Sequence, residues 1–107
     1  MPKILEIGSY IIYFWSEENG EPIHVHVSVK RPEKNSTKLW VLRNGETVVA
    51  YNRNGISQKE LKKIQENIKI NVEVIIAAWR KHFNSVSYHQ ALELLEKNKN
   101  SKKERGN

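Results

Sequence analysis

Around residues 10–29 the chain reads as two strands folded back on each other. Tyr10-Ile11-Ile12-Tyr13-Phe14-Trp15-Ser16 and Ile23-His24-Val25-His26-Val27-Ser28-Val29 flank the turn-forming run Glu17-Glu18-Asn19-Gly20-Glu21-Pro22. Side chains alternate across a strand, so His24 and His26 must share one face while Val25 and Val27 take the other. With Asn19-Gly20 at the centre of the loop, Trp15 falls opposite His24 and Tyr13 opposite His26. One face then carries Tyr13, Trp15, His24 and His26, and the reverse carries Ile12, Phe14, Val25 and Val27. The second face is a core surface. The first gathers aromatic rings around a His-x-His pair and calls for a chemical explanation.

A second hairpin follows a polar loop. Lys38-Leu39-Trp40-Val41-Leu42-Arg43 and Glu46-Thr47-Val48-Val49-Ala50-Tyr51 flank Asn44-Gly45, the pair best suited to a two-residue type I′ turn. That turn pairs Arg43 with Glu46, Val41 with Val48 and Leu39 with Ala50. On the other face it sets Lys38 against Tyr51, Trp40 against Val49 and Leu42 against Thr47. An N-terminal strand around Ile4, Leu5 and Ile7 adds to the sheet.

The helical part opens at Ser57-Gln58-Lys59-Glu60, the spacing of a capping box, with Ile56 and Leu61 placed as a hydrophobic staple. Leu61, Ile64, Ile68, Val72, Ile75, Trp79 and Phe83 then recur at three- and four-residue steps. This stripe predicts one long helix of ~25 residues, enough at 1.5 Å per residue to cross a small sheet. Asn84-Ser85-Val86 ends it, and Ser87-Tyr88-His89-Gln90 opens a short C-terminal helix. The expected fold is therefore α+β: a small, mostly antiparallel sheet of two hairpins and an N-terminal strand, packed on one long helix. Residues 1–96 form a single domain and residues 97–107 a basic, disordered tail.

Composition narrows the function. The net charge of +6 comes largely from the tail, where Lys97, Lys99, Lys102, Lys103 and Arg105 face only Glu104. The charge is thus weak evidence for a nucleic-acid partner. There is no cysteine, which excludes disulfides and thiolate metal sites, and all 12 acidic residues are glutamate. No apolar run approaches a membrane span and no signal sequence is evident, so the expected location is the cytosol and no membrane partner is foreseen.

Three chemistries fit the His-x-His face. Two histidines titrating near neutral pH could share the proton transfers of a metal-independent ribonuclease, with Lys38 or Arg53 opposing phosphorane charge. Tyr13, Trp15, Trp40 and Tyr51 could then stack RNA bases. A metal-dependent hydrolase would need a third ligand, sought among Glu17, Glu21, His82 and His89. The third chemistry is protein binding, since Tyr, Trp and Arg are favoured at interfaces. No cofactor is expected and no metal ligand is assigned.

The motifs also resemble a known family. Met1-Pro2 with Ile4, the turn from Gly8 to Tyr10, Phe14-Trp15-Ser16-Glu17-Glu18 and Glu21-Pro22-Ile23-His24-Val25-His26-Val27 are similar to the bacterial family called domain of unknown function 4160. So are Lys38-Leu39-Trp40-Val41, residues 52–57, Glu60-Leu61, Ala78-Trp79 and Phe83, which extends the resemblance from residue 1 to about residue 84. The family commonly has a second proline where Ile23 stands. The resemblance implies a two-gene, toxin–antitoxin-like module beside a second small protein, of the family called domain of unknown function 2442. The expectation is a cytosolic bacterial protein that acts chiefly by binding that cognate partner. A ribonuclease using His24, His26 and Lys38 is the alternative. The expected binding face is Tyr13, Trp15, Trp40, Tyr51, Asn52 and Arg53.

Overall fold

A computed structural model describes residues 3–16, 18 and 20–89 of the chain. The alternating runs become five strands: β1 (Lys3–Ile7), β2 (Tyr10–Tyr13), β3 (His24–Val29), β4 (Thr37–Val41) and β5 (Thr47–Asn52). They form one sheet in the order β1-β2-β3-β4-β5, each strand antiparallel to the next. Antiparallel neighbours need only short connections, and the chain folds as a simple meander. Its central strand is the one that carries the His-x-His pair.

The first hairpin keeps its expected register but not its length. Tyr13 pairs with His26 and Ile12 with Val27. β2 ends at Tyr13, however, so Trp15 never reaches a position across from His24. The chain instead leaves the sheet in a loop over residues 14–23.

The second hairpin turns differently from the expectation. Asn44 does not take the positive φ a type I′ turn requires, whereas Gly45 does, at φ 90°. The Gly45 N–H donates to Leu42 O at 2.9 Å and the Leu42 N–H to Glu46 O at 2.8 Å. This is a three-residue loop with glycine in the left-handed position. It shifts the pairing to Val41–Thr47, Trp40–Val48 and Leu39–Val49. An irregularity between Lys38 and Leu39 absorbs Ala50 and restores the expected Lys38–Tyr51 pair.

The single long helix is not formed. The structure has α1 (Gln58–Ile70, 13 residues) and α2 (Val72–Phe83, 12 residues), separated at Asn71. Ser57 caps α1 as expected, accepting from the Glu60 N–H. Asn71 ends it with φ −105° and ψ 19°, its N–H reaching several carbonyls of the last turn and its side-chain amide donating to Asn67 O. Asparagine is a poor helix former because its amide competes for backbone partners in this way. The hydrophobic stripe survives the break: Leu61, Ile64 and Ile68 are buried on α1, Ile75 and Trp79 on α2. Two helices in place of one follow a twisted sheet, with Gln65 of α1 donating to Thr47 O of β5 and α2 packing towards β1. The core lies between this layer and Ile12, Val25, Val27, Leu39 and Val41.

After α2, Asn84 turns the chain in the left-handed conformation and residues 85–89 run back to the sheet, where the Ile23 N–H donates to Ser87 O at 2.8 Å. Residues 85–89 are not helical, and the rest of the expected C-terminal helix and tail lies outside the described residues.

Gly45 tests the turn. A Cβ there would sit 3.3 Å from Lys69 Cγ and 3.4 Å from Val72 Cγ1, on a backbone at φ 90°. Gly45→Ala should lower unfolding free energy by about 1–2 kcal/mol from the left-handed backbone alone, read by urea denaturation. An unchanged midpoint would mean that the loop has another conformation.

Candidate functional site

β3 is buried on both faces from His24 to Ser28. One face is aliphatic and belongs to the helical core. The other places polar side chains away from water, where each must find a partner. Two loops supply those partners, so the face expected to lie open is roofed.

The loop over residues 30–36 covers Tyr13. Its hydroxyl donates to Glu33 O at 3.0 Å and accepts from the Glu33 N–H at 3.2 Å, and the side chain is fully buried. From the same loop, Ser36 Oγ lies 3.1 Å from His26 Nδ1. The loop over residues 14–23 covers the imidazoles. Glu18 reaches down onto them, held from behind by the Trp15 N–H, 2.8 Å from Oε1. Its carboxylate lies 3.0 and 3.2 Å from His26 Nε2, and Oε2 lies 2.7 Å from His24 Nε2.

The two contacts differ in kind. His26 is hydrogen-bonded to the carboxylate, whereas His24 Nε2 is buried and makes no hydrogen bond, its short approach to Oε2 falling off the donor direction. His24 Nδ1 is 2.9 Å from Pro22 O. Burial raises the Glu18 pKa. The close approach of His24, the hydrogen bond from His26 and the Trp15 amide outweigh it, and the carboxyl stays ionised far below the ordinary carboxylate range.

The walls are aromatic. His24 lies edge-on to Trp79 at 5.1 Å and to Trp40 at 5.5 Å between ring centroids. Tyr13 stacks on His26 at 5.6 Å, and Trp15 meets Tyr13 edge-on at 5.3 Å. Trp79, expected only as part of the core stripe, therefore reaches from α2 to the site.

Outward from the imidazoles, strand register spreads the remaining residues across the sheet. His26 pairs with Lys38 and Lys38 with Tyr51, while His24 pairs with Trp40. Lys38 Nζ bonds Glu21 Oε1 at 2.9 Å and lies 4.4 Å from the Trp40 ring centre. The Arg53 guanidinium lies 4.0 Å from the Tyr51 ring. Trp15, Lys38, Trp40 and Tyr51 are half-buried and Arg53 exposed, so together they form a rim around the buried pair. Asn52 does something else. Its amide accepts from the Ile56 N–H and donates to Ile56 O, which builds the turn into α1.

Glu18 is the residue sequence reasoning missed. Of the carboxylates and histidines considered beside the pair, Glu21 is taken by Lys38, His82 lies against Phe14 and Phe83, and His89 stacks on Trp40 at 4.5 Å. Glu17 lies outside the described residues. Nothing in the sequence tells that Glu18 turns inward, because that depends on how the loop closes. Among the described residues, Glu18, His24 and His26 are the group able to hold a metal ion, with donor atoms all within 4.8 Å of one another.

The sequence model of the family described as "Domain of unknown function (DUF4160)" matches residues 9–80, which includes the whole site. No curated protein and no solved structure matches the chain. None of the described helices is long and apolar enough to cross a membrane.

The Glu18 contacts predict an acid limb in stability. A carboxyl whose pKa is depressed by folding stabilises the fold above its unfolded pKa, and that contribution is lost as pH falls. The stability of the wild type, in chelator, should therefore drop as pH falls below 4.5, the ordinary glutamate value. Glu18→Gln should show a shallower drop over the same range by chemical denaturation. Parallel profiles for the two proteins would remove Glu18 from the account.

Proposed function

We propose, for a chain that belongs to the DUF4160 family, that it acts by binding a partner protein through the rim of Trp15, Lys38, Trp40, Tyr51 and Arg53. The partner is the small protein encoded beside it, in a bacterial, cytoplasmic two-gene module of the toxin–antitoxin kind. One observation supports this above the others. The imidazoles of the non-helix face are 0% and 3% exposed and engaged with Glu18, while Trp15, Trp40 and Tyr51 around them are only partly buried and Arg53 is exposed. What the face offers a visitor is stacking surface and charge, the equipment of recognition.

The ribonuclease reading fits these positions less well. Metal-free cleavage of RNA needs an acid and a base on opposite sides of a phosphodiester. Here both rings converge on one carboxylate, with ring centres 5.2 Å apart beneath a closed loop. Catalysis of that kind would require Glu18 to swing out.

Co-expression with the adjacent gene product should give a complex stable to gel filtration, with a change in Trp fluorescence on assembly. Trp40→Ala combined with Arg53→Glu should weaken it by about 2 kcal/mol or more, the scale of an interface hot spot, without changing the melting temperature of the free chain appreciably. An undiminished complex would place the interface elsewhere. RNA cleavage by the free chain that is abolished in folded His24→Ala and His26→Ala would favour the catalytic reading instead.

A further inference from the structure

We propose that Glu18, His24 and His26 bind one divalent transition-metal ion, through the Nε2 atoms of both imidazoles and the Glu18 carboxylate. This goes beyond partner binding and stands or falls independently of it.

The argument begins with a tautomer. His24 Nδ1 lies 2.9 Å from Pro22 O, and a carbonyl oxygen only accepts, so Nδ1 carries the hydrogen. Whenever the ring is neutral, Nε2 then carries a lone pair. That atom is buried, without a hydrogen-bond partner among the described residues, and 2.7 Å from Glu18 Oε2. Two acceptors this close are reconciled by a cation between them, either a proton or a metal ion.

A shared proton has to lie near the line joining nitrogen and oxygen, and the approach here is off that line. A metal ion sits off it by nature, at the apex of a triangle whose base is the ligand–ligand distance. With bonds of about 2.0–2.2 Å and angles of 90–110°, neighbouring ligand atoms lie about 2.8–3.6 Å apart. Glu18 Oε2 is 2.7 Å from His24 Nε2 and 3.0 Å from His26 Nε2, and the donor atoms of the three residues all lie within 4.8 Å of one another.

The surroundings are those of a metal site. Ligating imidazoles are aimed by partners on their second nitrogen. Pro22 O does this for His24, and Ser36 Oγ for His26. The Trp15 N–H fixes the carboxylate through Oε1. Trp79 and Trp40 wall the His24 side with apolar surface, which strengthens charge–ligand attraction. Two imidazoles and one carboxylate suit zinc, iron, cobalt or nickel better than magnesium or calcium, which prefer all-oxygen sites. Three protein ligands leave room in the coordination sphere for water or a small ligand.

The test uses the tag-free full chain, stripped with chelator and titrated with zinc by calorimetry and with cobalt(II) by absorbance and proton NMR. One equivalent of zinc should bind and raise the melting temperature. The cobalt form should show two hyperfine-shifted exchangeable resonances, one from each imidazole Nδ1–H. Glu18→Gln and His26→Gln should each weaken zinc binding by at least about tenfold, while His82→Gln and His89→Gln leave it unchanged. Failure of the folded wild type to bind zinc stoichiometrically overturns the proposal, as does undiminished binding in folded Glu18→Gln. Should those variants not fold by circular dichroism, the wild-type cobalt spectrum decides: two shifted imidazole resonances uphold the site, and none removes it.

Discussion

A central strand buried on both faces is the constraint from which the rest of this structure follows. β3 has five consecutive buried residues, and two of them are histidines. An aliphatic residue needs only a packed neighbour, but a buried imidazole needs partners for two nitrogens. The loops over residues 14–23 and 30–36 exist in their observed form because they deliver those partners: Glu18 and Pro22 O from one, Ser36 from the other. Tyr13, beside them on β2, is tied down by Glu33 in the same way. The polar face is therefore a second, hydrogen-bonded core opposite the hydrophobic one.

The two cores communicate through Trp79. Its ring packs against Phe14 at 5.1 Å and Phe83 at 4.4 Å on the apolar side and meets His24 at 5.1 Å. A helix running straight through residue 71 would carry its C-terminal half along the direction of α1. The interruption at Asn71 divides the helix in two while the buried stripe continues across it. The break falls at a residue whose side-chain amide competes with the helix for hydrogen bonds.

At the rim, strand pairing does the positioning. His26, Lys38 and Tyr51 occupy one row across β3, β4 and β5, and His24 and Trp40 begin the next. Rigid strands hold a recognition surface more tightly than loops, and the Lys38–Glu21 pair ties the rim to the loop that closes the site. Anything that shifts Glu18 would thus be felt at the surface where a partner is expected to dock. The proposed partner surface and the proposed metal site lie on one face of the sheet.

Much of this was legible in the order of residues. Alternation placed His24 and His26 together and opposite Val25 and Val27, and the capping residue Ser57 marked the start of α1, because these are local consequences of backbone geometry. Periodicity also found every buried residue of the two helices. It could not find the break at Asn71, since two helices in phase carry the same spacing as one. Nor could it see the three-residue turn at Gly45, where contact with Lys69 and Val72 decides the loop, or the compensating irregularity beside Ala50. The family resemblance, read from residue 1 to about residue 84, is matched over residues 9–80. The deepest gap concerned the site itself. The sequence determined that two imidazoles would face one way; only the tertiary structure decided that Glu18 would close over them. That closure depends on the bend of the loop, where the Trp15 N–H holds the Glu18 carboxylate over β3, and no spacing of residues encodes it.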